Sequence, residues 1–152
     1  MVRILYGESG LDANGVAACE RYHKESYCLP FRGGLGTENV LDLFRTYGRH
    51  GRWMDLGCGP CTLYWAMAMP RAASIYASDL KPEALEALRR FTQLDVVPAG
   101  YADLIDRFGL AADHLAMVRR RLASLEVIDA FKAWKSQATD CKFETISAIG
   151  AF

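Results

Sequence analysis

Apolar positions gather in four short runs, separated by stretches in which they recur at helical spacing. The first run lies within residues 52–57 around Trp53 and Met54, and the second within 73–78 around Ile75, Tyr76 and Ala77. Leu125, Val127 and Ile128 make a third run ending at Asp129, and Phe143 to Ile149 make a fourth. Each is short and bounded by turn residues, the mark of a buried strand. Helical patterns fill the intervals. Residues 11–27 carry Asp12 or Asn14 as a cap and a partial stripe through Val16, Ala17 and Tyr27, until Pro30 and glycines 33, 34 and 36 break the pattern. Thr37 caps a second helix, in which Val40, Leu41, Phe44 and Tyr47 share a face and Gly48 marks the stop. A helix over 61–69 ends at Pro70. Another starts at Pro82, with Glu83 and Glu86 early and Arg89 and Arg90 late, the charge order that suits the helix dipole. Helices over 99–108, stopped by Gly109, and over 111–122 precede the third strand. Two helices, then β-α-β, a helical stretch, β, a link and β predict an α/β fold with a parallel sheet.

The join between the first strand and its helix is the most informative stretch. It reads Asp55-Leu56-Gly57-Cys58-Gly59-Pro60, and the next strand closes on Asp79. Strand, glycine turn, helix, strand and terminal acid form a unit suited to a nucleoside. Glycines admit a ligand close to the backbone, and the distal acid accepts hydrogen bonds from ribose hydroxyls. The acids 55, 79 and 129 all fall at carboxyl ends of strands, where doubly wound sheets bind ligands. Two other readings stand beside this one. The turn is also compatible with no ligand at all. Cys58-Gly59-Pro60-Cys61 also spells the CGPC of dithiol oxidoreductases, although the D-x-G-x-G pattern around it and the placement of Asp79 favour the nucleoside.

Composition narrows the classes. A chain of 152 residues with 51% hydrophobic content makes one domain with a sizeable core. Eighteen basic and eighteen acidic residues cancel, so nucleic acid and membrane surfaces are not expected partners. No apolar run approaches the ~20 residues of a membrane span, and the apolar stretch in MVRILYGESG is too short for a secretory signal. Five scattered cysteines suit a reducing, cytoplasmic setting. His23, His50 and His114 are isolated, so no metal site is expected; His23 reads as a solvated helix residue, and Arg119-Arg120-Arg121 as a solvated helix face.

With DLGCGP followed by YASDL, the stretch from about Tyr22 to Phe152 resembles class I S-adenosylmethionine-dependent methyltransferases, and within them the group of nicotinamide, phenylethanolamine and indolethylamine N-methyltransferases. The resemblance implies a Rossmann-like parallel sheet with N-terminal lid helices. Residues 1–36 would form the lid helix and a glycine-rich link, and 37–152 an incomplete S-adenosylmethionine-binding domain. It implies that Gly57, Cys58 and Gly59 pass beneath the methionine and ribose of the cofactor. Asp79, with Leu80 beside it, would hold the ribose hydroxyls, and Asp129 and Ala130 the adenine amino group. Tyr22 and Tyr27 would donate hydroxyls to the cofactor carboxylate from the lid, and Ala148 would face the sulfonium. The residues alone also allow Tyr22 and Tyr27 as packed helix-face residues and Asp129 as a strand-end cap.

Three departures mark this chain: Cys61 stands where most of the superfamily has glycine, Tyr64 is displaced by one residue, and Ala84 replaces an asparagine. The superfamily sheet runs 3-2-1-4-5-7-6, and only four of these strands are legible, leaving the fourth as an open apolar edge around Ile146, Ala148, Ile149 and Phe152. Either the polypeptide is a fragment, or the edge is covered by a second copy or a completing chain. The expected activity is methyl transfer from S-adenosylmethionine to a small molecule, favouring an amine nitrogen, with S-adenosylhomocysteine as product. Catalytic side chains are not assigned, because in-line displacement at an activated sulfonium chiefly needs alignment. The alternatives are a cyclase releasing methylthioadenosine and a cyclic amino acid, and a non-catalytic cofactor-binding subunit of a longer enzyme.

Overall fold

A computed structural model describes residues 1–149. Its centre is a sheet of five strands, all parallel: β1 (Arg3–Leu5), β2 (Gly51–Leu56), β3 (Ala72–Asp79), β4 (Leu122–Val127) and β5 (Thr145–Ser147). They lie in the order β1-β4-β3-β2-β5, a Rossmann-like α/β arrangement. The four runs read as strands take the order 3-2-1-4, and one strand is added outside them.

That added strand is β1. Its three residues pair with β4, Ile4 opposite Leu125 and Leu5 opposite Glu126, in the segment considered only as a possible leader. Residues 1–36 therefore contribute to the same sheet as the residues after 37. A second difference concerns β4, which begins at Leu122 rather than at 125. Helix α6 (His114–Arg121) stops without glycine or proline, and Leu122 turns directly to extended backbone at φ −66° and ψ 112°. The other helices are α1 (Ala13–His23), extended by a wide π-helical turn at Lys24–Cys28, α2 (Thr37–Tyr47), α3 (Thr62–Ala66), α4 (Pro82–Thr92) and α5 (Ala99–Phe108). Helix α3 is shorter than its pattern, because Met67 to Met69 continue as tight turns rather than as helix.

Alternation along β2 divides the core. Trp53 is buried in the main core with Ile75, Leu85, Leu88, Leu104 and Leu115, whereas its neighbour Met54 is buried in a smaller cluster with Leu56 and Ile128. Successive strand side chains point to opposite faces, so one strand serves both layers. The smaller layer is closed by the 128–144 link, whose Phe143 ring meets Tyr76 edge-on at 5.1 Å.

The arginine run is not a uniform solvated face. Arg120 is exposed, but Arg119 lies 5.1 Å over the Phe91 ring and donates to the Val96 carbonyl, while Arg121 donates to that of Pro70. At the other end of the sheet, β5 pairs with β2 alone, and Ile146 is 55% exposed on this edge. Phe152 lies outside the described residues.

Helix α1 is fastened to α4 through Glu86, a buried carboxylate. It accepts from the Tyr6 hydroxyl at 3.0 Å, from Arg89 at 2.7 and 2.8 Å, and from Arg90 at 2.9 Å. Arg90 also pairs with Glu20 of α1 at 3.3 Å, and Glu83 accepts from the Asp12 backbone at the α1 cap. The Arg89 guanidinium, with Arg90 and Tyr6, lowers the Glu86 carboxyl to about 2. The ionised form is favoured in the folded state, so this stabilisation is complete above the ordinary glutamate range and fades as pH falls toward about 2. Glu86→Gln is expected to cost about 1–3 kcal/mol near neutrality, the gap to wild type narrowing below about pH 4. Urea denaturation at several pH values checks this; equal stability at pH 7 contradicts it.

Candidate functional site

The carboxyl ends of β2, β3 and β4 open into a cavity of about 540 Å³. Its floor is the turn after β2, where Gly57 and Gly59 sit at φ +61° and +53°. Residues with a β-carbon adopt this left-handed region only at a cost, so the turn needs glycine at both places. The turn is tied to β3 by the Cys58 N–H donating to the Ser78 carbonyl at 2.9 Å. A β-carbon built on Gly59 would meet no atom within 4 Å, so the glycine leaves backbone bare toward open space. Asp79 braces the same turn. Its Oδ2 accepts from the Gly59 N–H at 2.8 Å and its Oδ1 from the Lys81 N–H at 2.9 Å. A carboxylate offers about four lone-pair sites, so capacity remains on both oxygens.

Nine of the ten residues proposed for a cofactor come together on this cavity: Tyr22, Tyr27, Gly57, Cys58, Gly59, Asp79, Leu80, Asp129 and Ala130. Asp129 lies past the end of β4. One oxygen accepts from the Phe131 N–H at 3.0 Å and the other pairs with Lys132 at 2.9 Å; Lys132 first, then that N–H, holds its carboxyl below the usual range. The tenth residue, Ala148, does not line the cavity. It packs against the Met54 cluster on the other face, and Ile149 stands at the cavity wall instead. Cys61, Trp65, Lys81, Ala84 and Phe131 also line it. Of these, Lys81 follows directly from its place beside Asp79, whereas Trp65 carried no signal beyond an apolar helix position.

The cavity's remaining wall comes from α1 and the π-helical turn. Tyr22 is 52% exposed and so is not packed on the core. Tyr27 is half-buried, its ring 4.8 Å from that of Tyr64 and 5.6 Å from that of Trp65. The two lid tyrosines meet edge-on at 6.0 Å. Burial raises the Tyr27 phenol well above its ordinary range, Cys61 and Tyr22 adding to the effect, which keeps it a hydrogen-bond donor. Gly100 of α5 holds this segment close, since a β-carbon there would overlap the carbonyl oxygens of Tyr27 and Leu29.

His23 departs from expectation. Instead of facing solvent it is buried, with Nε2 2.8 Å from the Tyr101 hydroxyl and Nδ1 3.7 Å from Cys28 Sγ. Burial lowers its pKa to about 4, so it is neutral at ordinary pH and anchors the lid turn. The CGPC cysteines are buried free thiols. Burial, reinforced by Asp55, raises both well above the ordinary thiol range. Dithiol exchange is favoured by a depressed thiol pKa, the opposite of the direction in which burial moves these two.

Beneath the turn lies Asp55, with no exposed surface. Its Oδ2 accepts from the Thr62 hydroxyl at 2.9 Å and its Oδ1 from the Ser147 hydroxyl at 2.8 Å. Ser147 in turn accepts from the Trp53 indole N–H at 2.8 Å. One carboxylate thus joins the end of β2, the start of α3 and the edge strand β5. Burial raises it to about 6, with Asp79 adding and the two hydroxyls opposing.

No protein-family model matches the chain, and no curated protein matches it. Among solved structures it is similar to the YcgJ protein from Bacillus subtilis, with 17% identity and a TM-score of 0.42 over 73% of this chain. The likeness covers 37% of that protein, and at this distance it says nothing of activity. Among the described residues, no group of three histidines, cysteines or acids is placed to hold a metal, and no helix is long and apolar enough to cross a membrane.

Asp55 sets a pH dependence. Its folded pKa of about 6 lies above the ordinary 3.8, so the folded state binds more protons between these values, and its contribution falls as pH rises through that window. Compared with wild type, Asp55→Asn is expected to lack this fall, on the order of 2 kcal/mol between pH 4 and 6.5. Parallel denaturation curves across that range measure it; identical slopes for the two proteins contradict it.

Proposed function

We propose that this cavity binds S-adenosylmethionine and that the chain serves methyl transfer to a small molecule, an amine nitrogen being the favoured acceptor. The observation that carries the reading is the convergence of a bare two-glycine turn, Asp79 and Asp129 at the carboxyl ends of three adjacent parallel strands. That is where α/β sheets of this kind bind nucleosides, with the strand-end acid on the ribose. Asp129 is already paired with Lys132, so the cavity carboxylate without a cationic partner among the described residues is Asp79.

In this reading each part of the chain has a physical task. The glycine turn lets the ligand lie against backbone, and the spare lone pairs of Asp79 accept from the ribose hydroxyls. Asp129 accepts from the adenine amino group, and Tyr22 and Tyr27 donate to the ligand's carboxylate. When bound, the sulfonium would supply an already activated methyl group, passed to the acceptor's nitrogen lone pair as the C–S electrons stay on sulfur, with the amine proton released to solvent as the product leaves. The protein's part is then to align the reactants and exclude water, which requires no dedicated acid or base.

Calorimetry with S-adenosylmethionine and S-adenosylhomocysteine tests the binding, and product analysis tests the transfer, since S-adenosylhomocysteine marks it. Asp79→Asn is expected to weaken binding by about 1–3 kcal/mol. Tyr22→Phe and Tyr27→Phe each remove one hydroxyl with almost no volume, so affinity should drop by about 1 kcal/mol while thermal stability holds. Absence of binding by the folded wild type, or equal affinity for all four proteins, overturns the reading.

A further inference from the structure

All five strands run the same way, so their starts share one end of the sheet, opposite the cavity. Each start carries a cation. Arg3 opens β1, Arg120 and Arg121 precede β4, Arg71 precedes β3, Arg49 precedes β2 and Lys142 precedes β5. In the order β1-β4-β3-β2-β5 they form one row across the end of the molecule. Hydrogen bonds tie neighbouring strand starts together. The Arg121 guanidinium donates to the Pro70 carbonyl beside Arg71 at 3.3 Å, and Arg52 Nε donates to the Lys142 carbonyl at 2.7 Å. The acids of the same segments are already matched, Glu144 by Arg52 and Asp140 by Lys135, both at 2.8 Å. Among the described residues, none of the six cations of the row forms an ion pair; Arg121 is half-buried and the others are exposed. Charge therefore cancels over the whole chain but not end by end.

We propose that this row docks the phosphate backbone of a nucleic acid, without reading its sequence. Charge, chemistry and shape select that partner together. The row offers unmatched positive charge to a polyanion. All but one of its cations are arginines, whose planar forks match phosphate oxygens two at a time. Adjacent strands lie ~4.8 Å apart, so five of them spread the row over roughly 19 Å. A duplex presents a phosphate on each strand every ~3.4 Å of its axis, so about five face that length. A line of cations thus meets a line of phosphates, whereas a membrane presents a plane, of which one row meets only a strip. Phosphate contacts fix position and carry no sequence information. Docking at this end leaves the cavity at the carboxyl ends of the strands open, so the proposal stands apart from the cofactor reading.

Fluorescence anisotropy of the full chain with labelled DNA and RNA duplexes tests this, at salt between about 50 and 200 mM. Binding of either duplex supports the proposal, and two unrelated sequences should bind equally. The logarithm of the affinity should fall linearly with the logarithm of salt, with a slope of about −4, near −0.9 for each phosphate neutralised. Arg71→Gln and Arg120→Gln should each weaken binding and reduce that slope by about 1. Arg21→Gln, which removes an exposed arginine from α1 beside the cavity, should change neither. All three side chains are exposed, so thermal unfolding should match wild type and the core is not disturbed. No binding at low salt, an affinity indifferent to salt, or an equal loss in Arg21→Gln overturns the proposal. Vesicles containing phosphatidylserine that bind more tightly than either duplex, and are lost with Arg71→Gln and Arg120→Gln, overturn it in favour of a membrane surface. Salt-sensitive duplex binding by protein that binds no S-adenosylhomocysteine supports the row and counts only against the cofactor reading.

Discussion

The floor of the site rests on one buried carboxylate. Asp55 sits at the end of β2 with no exposed surface, and the hydroxyls of Thr62 and Ser147 hold its two oxygens. A buried carboxylate costs stability unless such donors satisfy it. The arrangement therefore fixes where α3 begins and where β5 lies relative to β2. Between the end of β2 and the start of α3 the chain must make the left-handed glycine turn, and the Ser78 hydroxyl donating to the Asp55 carbonyl at 3.2 Å joins β3 to the same centre. The opening at the carboxyl end of the sheet is set by these few bonds.

The other wall is built independently. Glu86 gathers Tyr6, Arg89 and Arg90, and through Arg90 and Glu20 it docks α1 on α4. Neutral buried His23, bonded to Tyr101, and the close approach of Gly100 then hold the π-helical turn that carries Tyr27. The cavity thus lies between a turn organised by Asp55 and a lid organised by Glu86 and His23. Tyr27 belongs to both functions, packed on Tyr64 and Trp65 while facing the cavity.

The parts readable from sequence are those whose signal is local. The glycines at 57 and 59, the strand-end acids, Pro82 opening α4 and Gly109 closing α5 at φ +61° are each dictated by backbone geometry within a few residues. What was missed depends on distant partners. Three residues of β1 have no period of their own and become a strand only against β4. The α6–β4 junction at Leu122 lacks a breaker, so helical spacing ran on into the strand. The sequence reads His23 as a solvated helix residue, yet its ring faces Phe91 and Tyr101. Ala148 and Ile149 exchanged places for a similar reason, since one step along an extended chain reverses the face.

The proposed cofactor site lies between the turn organised by Asp55 and Asp79 and the segment that carries Tyr22 and Tyr27. Amide hydrogen exchange of the chain with and without S-adenosylhomocysteine tests it most directly. The account predicts slowed exchange at residues 57–61, 79–81 and 129–131 and across the lid turn 22–28, with little change in β1 and α6. Saturating ligand that leaves those segments unaltered, or protects a different face of the sheet, would contradict it.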